Sequence, residues 1–514
     1  MLRLLSVMTF SIWELMVFAQ NPIYEHLPVG KYAVGFKIIT ITDSSRVTKP
    51  AYNYLGEKNT GDLQKKITIH LWYPAEANTG KAAFTYGDYC YSHLLTSTGE
   101  VISTDQKAAQ IRGKRTGTEG WFGKTTDEAW MQLSETKMLA RPDALPRKEK
   151  FPLLIGTLRP LSTTITNEML ASNGYVVAMI RSGITGSFSQ AALSEIPDMQ
   201  YAIAYLKKNA IADMNAIGVY GFSGSGFTPV LFGMYDYRVR ALADIESGIY
   251  MEGLFQGISA SNYYDPSKLK VPFLHIFSRD LSKQEKYIDE FEKKAKFSKR
   301  YRLLLNQPAL HHWDFAAEGY TACVVLKNRG EAQDNIRRSF ETASVYLLNF
   351  FNAELKGDVA AQNFLSAKPV LPDVAPSLWD ITMLPASKPA PDKDEFEYII
   401  RKKGISEALA IVKNALATDS ATNLLQGFVL NTLGYTFLNE KKYEEAIGVF
   451  KFNTELHPNE ANFFDSLAEG YEVSGDNENK KKVSATVMEL LSKKATLTEA
   501  EKSLKQTAEA RLKE

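Results

Sequence analysis

Between Phe151 and Leu355 the chain alternates short, largely apolar runs with segments whose apolar residues recur every three or four positions. The runs are Phe151 to Ile155, Tyr175 to Ile180, Ile217 to Tyr220, Val239 to Ile245, Val271 to Phe277 and Tyr301 to Leu305. Each has the length of a strand and is apolar on both alternations, as strands buried on two faces are. Between them Met199, Ile203 and Leu206 fall at helical spacing, and so do Val345, Leu348, Phe351 and Leu355 beyond the last run. Strands and helices in alternation predict an α/β fold, a mostly parallel sheet covered by helices on both sides. Upstream, Lys31 to Ile41 and Ile67 to Pro74 are rich in β-branched and aromatic residues and predict opening strands. Residues 81–150 keep no period, which predicts an irregular segment, either a cover for a pocket mouth or an idle insertion.

The two ends of the chain follow different rules. Met1-Leu2-Arg3, an apolar run from Leu4 to Phe18, and Ala19 read as a secretory signal over residues 1–19, which predicts a secreted or periplasmic protein. Glu14 interrupts that run with a charge that weakens membrane insertion, so a buried N-terminal helix or an uncleaved anchor is the competing reading. A length of 514 residues exceeds what one core sustains, roughly 250–300 residues. The boundary is expected where Pro369, Pro372, Pro376, Pro385, Pro389 and Pro391 crowd together: an α/β domain over 20–368, a stiff linker over 369–394, and a helical domain over 395–514. In that last part Gly427, Leu430, Leu433, Gly434, Phe437, Ala446, Phe450 and Pro458 take the places of a tetratricopeptide repeat of about 34 residues. A second window from Ala461 keeps Phe464, Leu467, Ala468 and Tyr471, but Lys480 stands where a small residue packs, so this repeat is expected to decay into a cap. Segments from about Glu395 to Leu425 supply a third helical pair. A tail this short is expected to lean on the α/β domain or on another subunit, through a protein partner or self-association.

Charge and cysteine content narrow the chemistry by exclusion. Sixty Lys and Arg against 59 Asp and Glu leave no field that would draw in a nucleic acid. Cys90 and Cys323 make neither a disulfide framework nor a metal-ligand cluster, and no cofactor is implied.

The run Ile217-Gly218-Val219-Tyr220 leads straight into Gly221-Phe222-Ser223-Gly224-Ser225-Gly226. A serine on a sharp strand-to-helix turn tolerates only small residues two places before and after it, here Gly221 and Ser225, which marks Ser223 as a nucleophile and leaves Ser225 as its alternative. Serine needs a base to take its proton and an acid to orient that base, and in this architecture they follow in the order serine, acid, histidine. Downstream of Ser223 stand His275, His311, His312 and His457. His457 belongs to the repeats and His275 to the middle of an apolar strand, which leaves the pair at Leu310-His311-His312-Trp313-Asp314-Phe315. Adjacent histidines seldom converge on one metal ion, and no acidic or thiol cluster accompanies these. For the acid, Asp244, Glu246 and Asp280 all lie at or just beyond strand ends. Asp244 and Glu246 would point the same way if their strand continued.

Over about residues 28–366 the chain resembles the platelet-activating-factor acetylhydrolase branch of the α/β-hydrolases, near the dienelactone hydrolase-like enzymes. The resemblance is carried by Val34-Gly35 with Asp43-Ser44-Ser45-Arg46, Trp72-Tyr73-Pro74-Ala75, Phe151-Pro152-Leu153, Asn173-Gly174-Tyr175-Val176-Val177 and Leu355-Lys356-Gly357-Asp358. It implies a serine esterase with Ser223 as nucleophile. Its histidine motif, a His followed three residues on by Phe and a small residue, falls on His312 with Phe315 and Ala316. Its acid falls on Glu246, where aspartate is usual, while Asp280 takes the acid position of the dienelactone hydrolases. The longer glutamate stem requires a shift of the backbone or the imidazole. The oxyanion donors implied are the N–H of Gly224 and one from the loop Gly156 to Ser162, where Pro160 has none to give and Leu158, Arg159 or Leu161 must serve. The substrates implied are small or lipid-like carboxylic esters. The opposing expectation is a catalytically silent hydrolase fold that binds a partner through its helical tail.

Overall fold

The computed structural model describes residues 21–513 apart from 49–50, 53–54, 61–62, 78–79, 96–101, 160, 182–187, 210, 248–251, 280–284, 368, 370, 372–378, 385–389 and 418–421. The signal segment 1–19 lies outside the described residues. The chain divides into two compact units, Met1–Ala386 and Ser387–Glu514.

The first unit is built on one mixed sheet. Its strands are β1 (Ala33–Val47), β2 (Gln64–Ala75), β3 (Ala140–Pro142), β4 (Pro152–Thr157), β5 (Val176–Arg181), β6 (Asp213–Phe222), β7 (Val239–Ile245), β8 (Phe273–Ser278), β9 (Arg300–Leu305) and β10 (Trp379–Leu384). They lie in the order β10-β9-β8-β7-β6-β4-β5-β2-β1-β3. The six central strands, β9 to β5 in that order, are all parallel to one another. At the flanks β2 runs antiparallel to β5 and to β1, and β10 runs antiparallel to β9. The helices of this unit are α1 (Tyr86–Tyr91), α2 (Thr104–Phe122), α3 (Asp127–Glu135), α4 (Thr164–Ser172), α5 (Phe188–Lys208), α6 (Phe227–Tyr235), α7 (Glu252–Ser259), α8 (Glu285–Lys294), α9 (Ala317–Val324), α10 (Gln333–Lys356) and α11 (Val359–Ala367).

Strand alternation divides the core in two. Leu154, Val177, Tyr220, Phe222, Ala243 and Ile276 pack on one face with Phe350 and Phe351 of α10. Leu153, Ile155, Val219, Leu242 and Phe273 pack on the other with Met199, Ile203 and Leu206 of α5 and with Val230 of α6. Central strands buried on both faces are the reason their sequences read as continuous apolar runs. From β4 the chain moves outward to β5 and then returns to the other side of β4 to form β6, so the crevice beyond the carboxyl ends of β4 and β6 is a topological switch point, where such sheets place their sites.

Two expectations are corrected here. Residues 81–150 hold α1, α2, α3 and β3 rather than an irregular segment. Of α2 only Thr118 and Phe122 are buried, so no apolar stripe announces it. The stretch expected as linker contributes β10, whose six residues pair with β9 from Trp379↔Leu305 to Leu384↔Arg300. An edge strand needs only one partner, so prolines on either side of it are tolerated.

The second unit is all helical: α12 (Lys393–Lys403), α13 (Ile405–Leu416), α14 (Gly427–Asn439), α15 (Tyr443–Leu456), α16 (Ala461–Ser474), α17 (Asn477–Ser492) and α18 (Glu499–Lys513). Phe396, Val412, Leu433, Phe437, Phe450 and Leu467 form its main core. A Cβ at position 434 would lie 2.3 Å from the Phe450 ring, so glycine there lets α14 and α15 close on each other. Lys480 is buried within an unbroken α17 and does not mark a decay of the second pair. Its four-carbon stem packs as an apolar group. α18 is held by Arg511, which reaches Asp465 at 2.6 Å and Glu472 at 2.9 Å.

Candidate active site

β6 ends at Phe222, one tight turn follows over Ser223–Gly226, and α6 begins at Phe227. Ser223 sits in this turn with φ 58°, the left-handed region that a side chain other than glycine enters only at a cost of about 1–3 kcal/mol. The strain lifts its hydroxyl off the end of the sheet. A Cβ at position 221 would lie 2.5 Å from the carbonyl oxygen of Ser225, so only glycine permits the turn. Ser225, the alternative nucleophile, is buried and its hydroxyl donates to the Phe222 carbonyl at 2.6 Å, turned to the backbone and away from the histidine.

The histidine comes from the loop after β9. Within Leu310 to Phe315 the carboxylate of Asp314 is fully buried and accepts the His311 N–H at 2.7 Å and Arg329 Nη2 at 2.8 Å, which braces the turn His312–Phe315. Burial pushes the Asp314 carboxyl up from its ordinary range. His311 is left exposed, while His312 is directed to the serine, its Nε2 2.7 Å from Ser223 Oγ. The ring of Phe222 stacks on His312 at 5.1 Å and fixes its plane.

The acid comes from the end of β7. Ile245 is the last strand residue, and Glu246 follows with φ 50° while its N–H still bonds the Ile276 carbonyl at 2.9 Å. This left-handed kink swings the glutamate toward the imidazole. Its Oε2 lies 3.1 Å from His312 Nδ1, and its Oε1 accepts the backbone N–H of Ser278 from β8. With a carboxylate facing Nδ1, the ring proton is assigned there, which leaves the Nε2 lone pair toward the serine hydroxyl. The arrangement can move a proton from serine to imidazole in one hydrogen bond.

The other sequence candidates lie elsewhere. Asp244 is fully buried with its Oδ2 3.5 Å from Nε2 of His275, and burial pushes its carboxyl well above the usual range. His275 stacks between Phe273 and Phe277, and burial holds it well below its ordinary value. Asp244 and Glu246 do not share a direction, because the strand stops between them. His457 bonds the Leu425 carbonyl at 2.8 Å within the helical unit. Asp280 and Pro160 lie outside the described residues.

Of the oxyanion donors, Gly224 directly follows the serine inside the turn. The N–H of Leu158 is committed to the Ile180 carbonyl at 2.9 Å and is withdrawn as a candidate, since strand pairing extends one residue past β4. That leaves Arg159 and Leu161, the latter at φ 74°. Thr157 Oγ1 donates to the Ser225 carbonyl at 3.1 Å, and Ala317 N–H donates to the Ser162 carbonyl at 2.8 Å, which fastens this loop to both the serine turn and the histidine loop. The roles of Ser278, Arg329 and Phe222 were not legible beforehand, because a backbone N–H, a guanidinium fifteen residues from its carboxylate and a ring-stacking contact leave no mark in motif spacing. Among the described residues no group of three or more His, Cys, Asp or Glu side chains is placed to hold a metal ion.

No family model matches the sequence, and no curated protein does. Among solved structures the chain is similar to a ferulic acid esterase from Streptomyces cinnamoneus, at 17% identity and a TM-score of 0.46, over 70% of this chain and 98% of that one. The fold is a mixed α/β sheet flanked by helices, with a C-terminal all-helical region, and Ser223, Glu246 and His312 stand beyond the carboxyl ends of β6, β7 and β9.

Proposed function

We propose that the chain is a serine hydrolase of carboxylic esters, of the acetylhydrolase-like kind its motifs resemble. The observation that carries this is the continuous path from Ser223 Oγ to His312 Nε2 at 2.7 Å and from His312 Nδ1 to Glu246 Oε2 at 3.1 Å, built on a serine held at φ 58°. Ser223 Oγ attacks the acyl carbonyl as its proton passes to His312 Nε2. The tetrahedral oxyanion is received by the N–H of Gly224 and one N–H of the loop after β4. His312 then returns the proton to the leaving alcohol, and an acyl-enzyme forms. Water repeats the sequence with His312 as base and releases the acid. Glu246 holds the proton on Nδ1 and balances the imidazolium charge in both halves.

The N-terminal pattern supports secretion or passage to a periplasm, and the repeat positions of the second unit support contacts with a protein partner or a second copy. A fluorophosphonate probe tests the reading directly: it should label the purified protein at Ser223, and Ser223→Ala should abolish both labelling and turnover of p-nitrophenyl acetate. A wild-type protein that neither labels nor turns over would make the fold a silent scaffold.

A further inference from the structure

Trp313, the residue after His312, forms one wall of a cavity of about 390 Å³. α2 lines it through Lys114, Thr118 and Trp121, and Arg159 and Glu318 complete it. Trp121 and Trp313 meet with ring centroids 5.5 Å apart and planes inclined at 44°, an angled aromatic wall. Trp121 is 62% exposed, a large apolar ring held at the surface beside a site. Beside this wall stand charged groups of both signs. Glu318 Oε1 accepts from Ser162 Oγ at 3.3 Å and lies 3.8 Å from Lys114 Nζ, while its Oε2 is buried without a hydrogen-bond partner.

An alkyl chain would cover the Lys114 and Arg159 cations and the Glu318 carboxylate while returning no hydrogen bond. The lining suits a ligand that is apolar on its flat faces and rimmed with groups able both to donate and to accept. A sugar ring has that form: its C–H faces lie on indole, and its hydroxyls donate to Glu318 and accept from Lys114 or Arg159.

We infer that this cavity binds a sugar or sugar-like polyol belonging to the ester on which Ser223 acts. The inference rests on the ester-hydrolase reading, and the test separates the two. Full-length Ser223→Ala protein is titrated by calorimetry with cellobiose, maltose and xylobiose, and with octanoate as the alkyl probe. At least one disaccharide should bind saturably, and adding Trp121→Ala or Lys114→Met should weaken it about tenfold, the scale of one lost stacking contact or hydrogen bond. In the Ser223-intact protein the same substitutions should lower the ratio of kcat/KM for an acetylated form of that disaccharide to kcat/KM for p-nitrophenyl acetate, again about tenfold. Saturable binding of octanoate with none of any disaccharide, or disaccharide binding indifferent to both substitutions, overturns the sugar site. Disaccharide binding in a protein that hydrolyses no ester overturns the hydrolase reading and leaves the sugar site standing.

Discussion

Replacing Glu246 with glutamine keeps shape and volume but removes the negative charge and puts a donor where one of two acceptors stood. In the native site Oε1 accepts the Ser278 N–H and Oε2 faces His312 Nδ1. A glutamine has one oxygen to offer, and the buried backbone N–H of Ser278 claims it, because an unmet buried N–H costs about 1–3 kcal/mol. The amide NH₂ then points at His312 Nδ1, which must become an acceptor. The ring proton moves to Nε2 and faces Ser223 Oγ, so the imidazole can no longer take the serine proton. The ion pair that balances the imidazolium is lost as well. Wrong tautomer and lost charge together predict a fall in kcat of roughly 10³–10⁴, about 4–5.5 kcal/mol of transition-state stabilisation. Steady-state hydrolysis of p-nitrophenyl acetate reads kcat, and an unchanged denaturant midpoint shows that the fold is intact. A variant within tenfold of the wild type would refute Glu246 as the orienting acid. If Asp280→Asn were the crippling change instead, the acid would stand after β8.

Three further outcomes follow from the same geometry. Ser225→Ala should retain turnover within about tenfold where Ser223→Ala loses at least about 10³, because the Ser225 hydroxyl serves only the Phe222 carbonyl; equal losses in p-nitrophenyl acetate assays would contradict this. Glu168 of α4 is fully buried and accepts from the hydroxyls of Tyr24 and Tyr89 and from the N–H groups of Leu139 and Ala140, so Glu168→Gln should strand at least one donor and destabilise the first unit by about 2–4 kcal/mol; a loss under about 1 kcal/mol on urea unfolding would show the network to be dispensable. A protein ending at Ala386 should fold and hydrolyse p-nitrophenyl acetate, whereas one ending at residue 370 bares the β9 edge and should aggregate; equal solubility and activity by light scattering and assay would show that β10 adds nothing.

The central strands were readable because they are buried on both faces, which writes them as apolar runs; β7 is observed with the bounds read for it, Val239–Ile245, and the others differ by a few residues at their ends. α2 was not, because a helix that buries only Thr118 and Phe122 has no stripe to show. Its surviving signal is polar: Ser103 and Gln106 form a reciprocal capping box, as Thr85 and Asp88 do ahead of α1. β10 was hidden by Pro376 and Pro385 on its two sides, and only its partner β9 makes it a strand. Lys480 misled because its type is polar while its stem packs like an aliphatic chain.

The acid shows most plainly where spacing alone stops. Asp244 and Glu246 are two residues apart, and in a continuing strand they would share a face. The strand ends at Ile245, and φ 50° at Glu246 breaks the alternation. Asp244 is thereby left inward, against His275, and Glu246 is thrown across the sheet end to His312. The longer stem of glutamate is what such a kink calls for. An aspartate at position 246 would have to accept from Ser278 N–H and from His312 Nδ1 with a carboxylate one methylene shorter, on a backbone already anchored through the Ile276 carbonyl. Backbone and side chain at this position are therefore one device. Glu246→Asp should lose one of the two contacts, most of its activity, and far less than Glu246→Gln, since the charge that sets the tautomer remains.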